Sequence, residues 1–298
     1  MFYKNQIKKI SMSRKLFEDA YKKYWDVLEQ KEGKCTPYSY DIVSEVNAHK
    51  FAADYEGFAI SIGLQESISW FNSWLITLAD LEAWRIVLRN EYNEQEKWAL
   101  RHHFVVRLAY FSLLQPSSNR ERICVMATNF ACRAHAKFFP EKKETPLSNS
   151  LKNKGNMLKR SDKERQLLGL VENWAYGRAL VDALQKIDGE SYREATNQYR
   201  NKASHYIPPR IEFGDLPIVS RQVISIVEED PISEEDRISR DFFEKQGVTK
   251  VVDYSYEVVH PIKLDAVIAL GREQIGFVQE ALDASQAFIK EVLLLLDR

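Results

Sequence analysis

Cysteine is scarce in this chain. Three occur among 298 residues, Cys35, Cys124 and Cys132. An odd, low count without C-x-x-C spacing argues against a disulfide framework and against a structural zinc site. Glycine (11) and proline (9) are also few, which favours long uninterrupted elements over a loop-rich fold. Net charge is −1, so no global basic field advertises a polyanionic partner. No run of about 18 apolar residues occurs, and no membrane span is expected. The N-terminus, MFYKNQIKKISMSRK, lacks an apolar h-region, and a reducing, cytoplasmic setting is the expectation. There is no P-loop, G-x-G-x-x-G, G-x-S-x-G or EF-hand pattern, so no cofactor is expected. His102, His103 and His135 have no carboxylate or cysteine at ligand spacing. They are expected to be core or solvated side chains rather than metal ligands.

What is present is helical periodicity. Leu16, Phe17, Ala20, Tyr24, Val27 and Leu28 predict a helix over 13–31, and a less regular one follows over about 39–55, broken near Gly57 and Gly63. A broad apolar stripe marks 65–92. Helices over 94–114 and 118–139 are expected to be separated by a stop at Gln115-Pro116-Ser117-Ser118. Trp70, Trp74, Trp84 and Trp98 recur at helical spacing and read as core. Ser161-x-x-Glu164 has the form of a capping box opening a helix over 162–187. Another helix follows over 190–206, and a long one over 264–297 closes the chain. Two β-branched runs, 216–227 and 248–259, can pair as strands across an acidic excursion that holds a short helix near 234–245. The fold class is therefore mostly α: a helical bundle with a small β-hairpin-like insertion before a long C-terminal helix. The expected parts are an N-terminal helical part over 1–140, a basic linker over 141–163, and a helical part over 164–298 with an insertion at 215–260. One continuous domain is the alternative.

Charge is uneven. Residues 133–165 carry ten Lys/Arg against four Asp/Glu, and residues 228–244 carry eight Asp/Glu against two Arg. Each run reads first as a solvated face. Lys152, Lys154, Lys159 and Arg160 in the basic run, with Lys202, are candidate RNA-backbone contacts.

The stretch Tyr199-Arg200-Asn201-Lys202-Ala203-Ser204-His205 lies late in a predicted helix, with Pro208-Pro209 close behind. Arg200 offers a planar fork of donors for phosphate oxygens. His205 can exchange a proton near neutral pH, and Asn201 can orient either group. This set suits RNA cleavage without a metal. A base takes the 2′-hydroxyl proton, the oxygen attacks the adjacent phosphate, and an acid protonates the leaving 5′-oxygen. Five residues along a helix rotate by about 140°, so Arg200 and His205 do not share a face of a regular helix. Either the helix distorts before His205, or the groups combine across two chains.

Arg-Asn-x-x-x-His late in a helical domain resembles the R-x(4–6)-H motif of the ribonuclease members of the HEPN superfamily. The resemblance covers residues 199–206 and the preceding helices from about 162. It implies a helical bundle, a homodimer with a composite site, and metal-independent endoribonuclease activity of the toxin–antitoxin or phage-defence kind, with an antitoxin protein as a further partner. It makes Arg200 the phosphate-binding arginine, His205 the proton-transfer group and Asn201 the accessory polar residue. The alternatives are a non-catalytic helical module binding RNA or protein, and a structural role in which Arg200 pairs with Glu194 or Glu212 and His205 caps a helix end.

Overall fold

The computed structural model describes residues 2–30, 36–49, 54–90, 92–138, 159–204, 208–225, 238, 242, 245–247 and 250–296. Of these, the side chains of 2–13, 54–56, 135, 136, 220, 222, 224, 251, 253, 257 and 296 are not described. The chain is mostly α. Its helices are α1 (Phe2–Glu29), α2 (Asp41–Ala48), α3 (Asp54–Leu88), α4 (Glu94–Leu100), α5 (Val106–Phe138), α6 (Arg160–Val171), α7 (Gly177–Lys186), α8 (Glu190–Ala195), α9 (Tyr199–Ser204) and α10 (Leu264–Leu296). A π-helical turn, Arg101–Val105, joins α4 to α5, and two strands, β1 (Leu216–Ser225) and β2 (Lys250–Val259), precede α10. Among the described residues no helix is long and apolar enough to cross a membrane.

The chain forms two compact units, Met1–Arg200 with Lys263–Arg298, and Asn201–Ile262. The first is built on three long helices, α3, α5 and α10. Its apolar core runs without interruption from Ile42 on α2 to Leu293 on α10, through Phe71, Trp74, Phe130, Leu180 and Phe288. Phe288 takes Phe130 and Trp174 edge-on at 5.6 and 5.9 Å. Each such large side chain contributes roughly 1.5–3 kcal/mol by leaving water. Because α5, α6, α7 and α10 share this core, the division at 141–163 does not separate two packing bodies. Residues 139–158 lie outside the described residues.

Several helix boundaries differ from the sequence expectation, each for a local reason. Gly63 does not break α3. A Cβ there would lie 3.2 Å from Met126 Cγ, so the glycine lets α3 approach α5 closely. Pro116 does not stop α5, which continues through it. Side chains donate to three carbonyls in the turn before the proline. Tyr192 donates its hydroxyl to Leu113 O at 2.9 Å, Ser118 to Leu114 O at 3.1 Å, and Asn119 Nδ2 to Gln115 O at 3.0 Å. Pro116 is itself buried, so tertiary packing overrides the helix-breaking preference.

The helix expected over 162–187 is two, α6 and α7, bent at 172–176. Glu291 of α10 accepts from the amides of Ala175 and Tyr176 at 2.9 and 3.1 Å, capping α7 from another helix. Gly177 is obligatory in the bend, since a Cβ there would lie 2.0 Å from Val171 O. The capping box at Ser161 does not form. The helix begins one residue before Ser161, so Lys159 is the N-cap, and its ammonium has no acceptor to offer; the Glu164 carboxylate is held by Arg120. A capping box is found at α4 instead, where Asn93 and Glu96 bond reciprocally at 3.0 Å.

In the second unit, β1 and β2 form a ten-pair antiparallel ribbon from Leu216↔Val259 to Ser225↔Lys250. An Ile211–Ile262 bridge and a contact of 3.0 Å between His260 Nδ1 and Asp215 Oδ1 lie beyond the Leu216 end. The short helix expected near 234–245 falls largely outside the described residues.

Candidate phosphate site at Arg200

The segment that carries Arg200 begins at the turn between α7 and α8. Asp188 holds a left-handed backbone there, φ 51°, and its side chain is almost fully buried. Arg160 Nη1 donates to Asp188 Oδ2 at 2.5 Å, and Arg160 Nη2 donates to Ser117 Oγ. Gln274 of α10 accepts from the Asp188 amide at 2.8 Å. One residue earlier, the Ile187 carbonyl accepts from Arg120 Nη1 at 2.5 Å. Arg120 also binds Glu164 as a two-bond fork, at 2.7 and 2.8 Å, with both side chains buried. Helices α5, α6 and α10 thus hold one turn from three sides, α5 and α6 with charge-assisted bonds and α10 with a neutral one.

From that turn α8 runs to a glycine-free Schellman end. Asn197 N donates to Glu194 O at 2.9 Å and Gln198 N to Arg193 O at 2.7 Å. Asn197 and Gln198 both take positive φ, 52° and 57°. The helix expected over 190–206 is therefore two short helices. Asn tolerates this backbone and Gln does so poorly. Two buried tyrosines hold the halves. Tyr192 reaches Leu113 O, and Tyr199 packs its ring against Tyr110 at 5.8 Å. Burial raises the pKa of both phenols, so both stay neutral.

Arg200 follows Tyr199 directly and is exposed. Partial burial and the nearby Arg160 guanidinium lower its pKa, with Arg193 adding to the repulsion; Asp188 and Glu121 act in the opposite sense. The side chain remains cationic at any working pH. No carboxylate among the described residues of its unit, Glu194 included, forms an ion pair with it. Of its cationic neighbours, Arg160 is taken by Asp188, whereas exposed Arg193 donates to the Gly189 carbonyl and pairs with no carboxylate among the described residues. Arg200 is thus an unneutralised guanidinium in a locally positive setting, a donor suited to an anionic oxygen.

Asn201 and Lys202 occupy α9 with Arg200; Asn201 is exposed and Lys202 half-buried. His205, Lys152 and Lys154 lie outside the described residues. Lys159 is exposed at the start of α6. Arg160 is placed beside Arg200 by the fold, though both terminal nitrogens are engaged within the protein. No group of His, Cys, Asp and Glu suited to a metal occurs among the described residues. His103 stacks on Phe17 at 4.6 Å and His102 on Trp98 at 5.3 Å.

Sequence reasoning missed the Arg120–Glu164 and Arg160–Asp188 pairs. The signal was present: Arg120 sits three and four residues before Ile123 and Cys124, on the apolar stripe of α5. A charge on an apolar stripe implies a buried partner. No family model matches the chain, and neither the curated proteins nor the solved structures compared with it contain a match.

Proposed function

We propose that this chain is a metal-independent endoribonuclease of the HEPN kind, in which Arg200 binds the scissile phosphate, His205 moves the proton and Asn201 orients them. The 2′-hydroxyl is the nucleophile, so the substrate is RNA and the products end in a 2′,3′-cyclic phosphate and a 5′-hydroxyl. The site is completed by two copies of the chain, each supplying the Arg200–His205 segment to the other. The observation that carries this reading is that Arg200 is exposed and has no carboxylate partner in its unit among the described residues, while the neighbouring Arg160 is paired with Asp188. A purely structural arginine at this place would be expected to share in that pairing.

The test is cleavage of single-stranded RNA in EDTA by the wild type and by Arg200→Ala and His205→Ala. Loss of the phosphate donor is expected to slow cleavage by about 10²–10³-fold, and loss of the proton-transfer group by about 10²–10⁴-fold. Variants that cleave as fast as the wild type, or a product carrying a 5′-phosphate, overturn the proposal. Binding without cleavage by the wild type gives the non-catalytic RNA-binding module instead.

A further inference from the structure

The ribbon of the second unit has one alternation of side chains turned to solvent. The register places Val219 opposite Tyr256, Arg221 opposite Tyr254 and Val223 opposite Val252, and all six residues are exposed, Tyr254 at 58% and Tyr256 at 82%. Exposed Lys250, paired with Ser225, ends the same alternation. The acidic positions of β2, 253 and 257, belong to the other alternation, opposite Gln222 and Ile218. One face therefore combines two cations, two exposed aromatic rings and no carboxylate position. Among the described residues no carboxylate pairs with Arg221 or Lys250. An isolated two-stranded ribbon is marginal in water without something to cover it, and large exposed rings on a flat face mark a binding surface.

We infer that this face is a docking platform for single-stranded RNA, with Tyr254 and Tyr256 stacking successive bases and Arg221 and Lys250 meeting the phosphates. The charge pattern selects the occupant, since a face with cations and no carboxylate complements a polyanion. The two tyrosines stand two residues apart, about 6.8 Å along the strand, a spacing suited to an unstacked, extended chain rather than a duplex. Stacking is indifferent to base identity, so the platform holds RNA without choosing its sequence. The inference rests on the RNA reading above and supplies its substrate class, an unpaired strand.

The experiment is fluorescence anisotropy of the full-length protein with a labelled 2′-O-methyl single strand, which lacks the nucleophile and stays intact. Tyr254→Val/Tyr256→Val keeps strand propensity while removing both rings, and should weaken binding roughly fivefold to a hundredfold per base lost. Tyr254→Phe/Tyr256→Phe keeps the rings and should bind as the wild type does. Arg221→Gln/Lys250→Gln should reduce the salt slope of log K by about 1.4. Unchanged affinity in the valine pair, or equal loss in both tyrosine pairs, overturns the platform. In either case the cleavage loss in Arg200→Ala decides the ribonuclease reading separately. A wild type that binds no single strand also overturns the platform. If sedimentation shows a dimer that the valine pair dissolves without loss of RNA affinity, the face is an interface between copies.

Discussion

Arg120 and Arg200 belong to the same helical unit and meet opposite fates. Arg120 is buried, forked onto Glu164 and bonded to the Ile187 carbonyl. Arg200 is exposed, and among the described residues of its unit no carboxylate closes on it. Arg160 lies between these extremes, with its terminal nitrogens bonded and its Nε buried without a partner. The difference separates charges that fix a turn from a charge that stands in water. Desolvating a guanidinium is costly and demands a partner, whereas an exposed one carries no such demand.

The largest expected effect tests the structural end of this series. Glu164→Ala leaves the buried Arg120 with carbonyl partners alone, and unfolding in urea should show a loss of about 3–5 kcal/mol. Arg200→Ala should change stability by no more than about 0.5 kcal/mol. Equal stability effects would erase the distinction between the two arginines. Replacing both members, Arg120→Met with Glu164→Met, should recover most of the loss, because a well-packed apolar pair of similar volume carries no desolvation cost.

A smaller effect is expected at the middle of the series. Asp188→Asn keeps a residue that tolerates positive φ and keeps the amide bond to Gln274, but removes the anion that faces Arg160. Stability should fall by about 1.5–3 kcal/mol, as for the loss of a charge-assisted hydrogen bond. Arg160 then becomes a further unneutralised cation beside Arg200, so on the proposed reading single-stranded RNA should bind more tightly at low salt, with a steeper salt dependence. Unchanged RNA affinity with the stability loss intact would show that Arg160 lies beyond reach of the bound strand.

The same contrast explains how far the sequence could be read. Helical class, the long C-terminal helix and the strand pair follow from local periodicity, and the ladder from Leu216 to Ser225 matches the β-branched run closely. The errors fall where a distant side chain replaces a backbone partner. Tyr192 bonds the Leu113 carbonyl, one turn before Pro116, from 79 residues away, Glu291 caps a bend 116 residues before it, and Arg120 takes the glutamate of a plausible capping box 44 residues on. None of these partners lies within a local window. Arg200 was legible as a chemical group, but its freedom from carboxylates depends on which of them its neighbours engage, and only the packed unit decides that.

The smallest effect concerns the two left-handed residues that lead into Arg200. Gln198 at φ 57° carries a strain of about 1–2 kcal/mol that glycine would not. Gln198→Gly should therefore raise stability by about 0.5–1 kcal/mol, once the greater freedom of the unfolded glycine is set against it. The Schellman bond from residue 198 to Arg193 O is a backbone bond and survives the change. Removing the side chain's restriction also widens the directions in which α9 can leave α8, and with it the orientation of Arg200. A stability gain with a several-fold drop in RNA cleavage would show that the strain serves to position Arg200. Stability and cleavage rising together would show that the turn merely ends a helix, and would leave Tyr199 packed on Tyr110 as the element that aims the arginine.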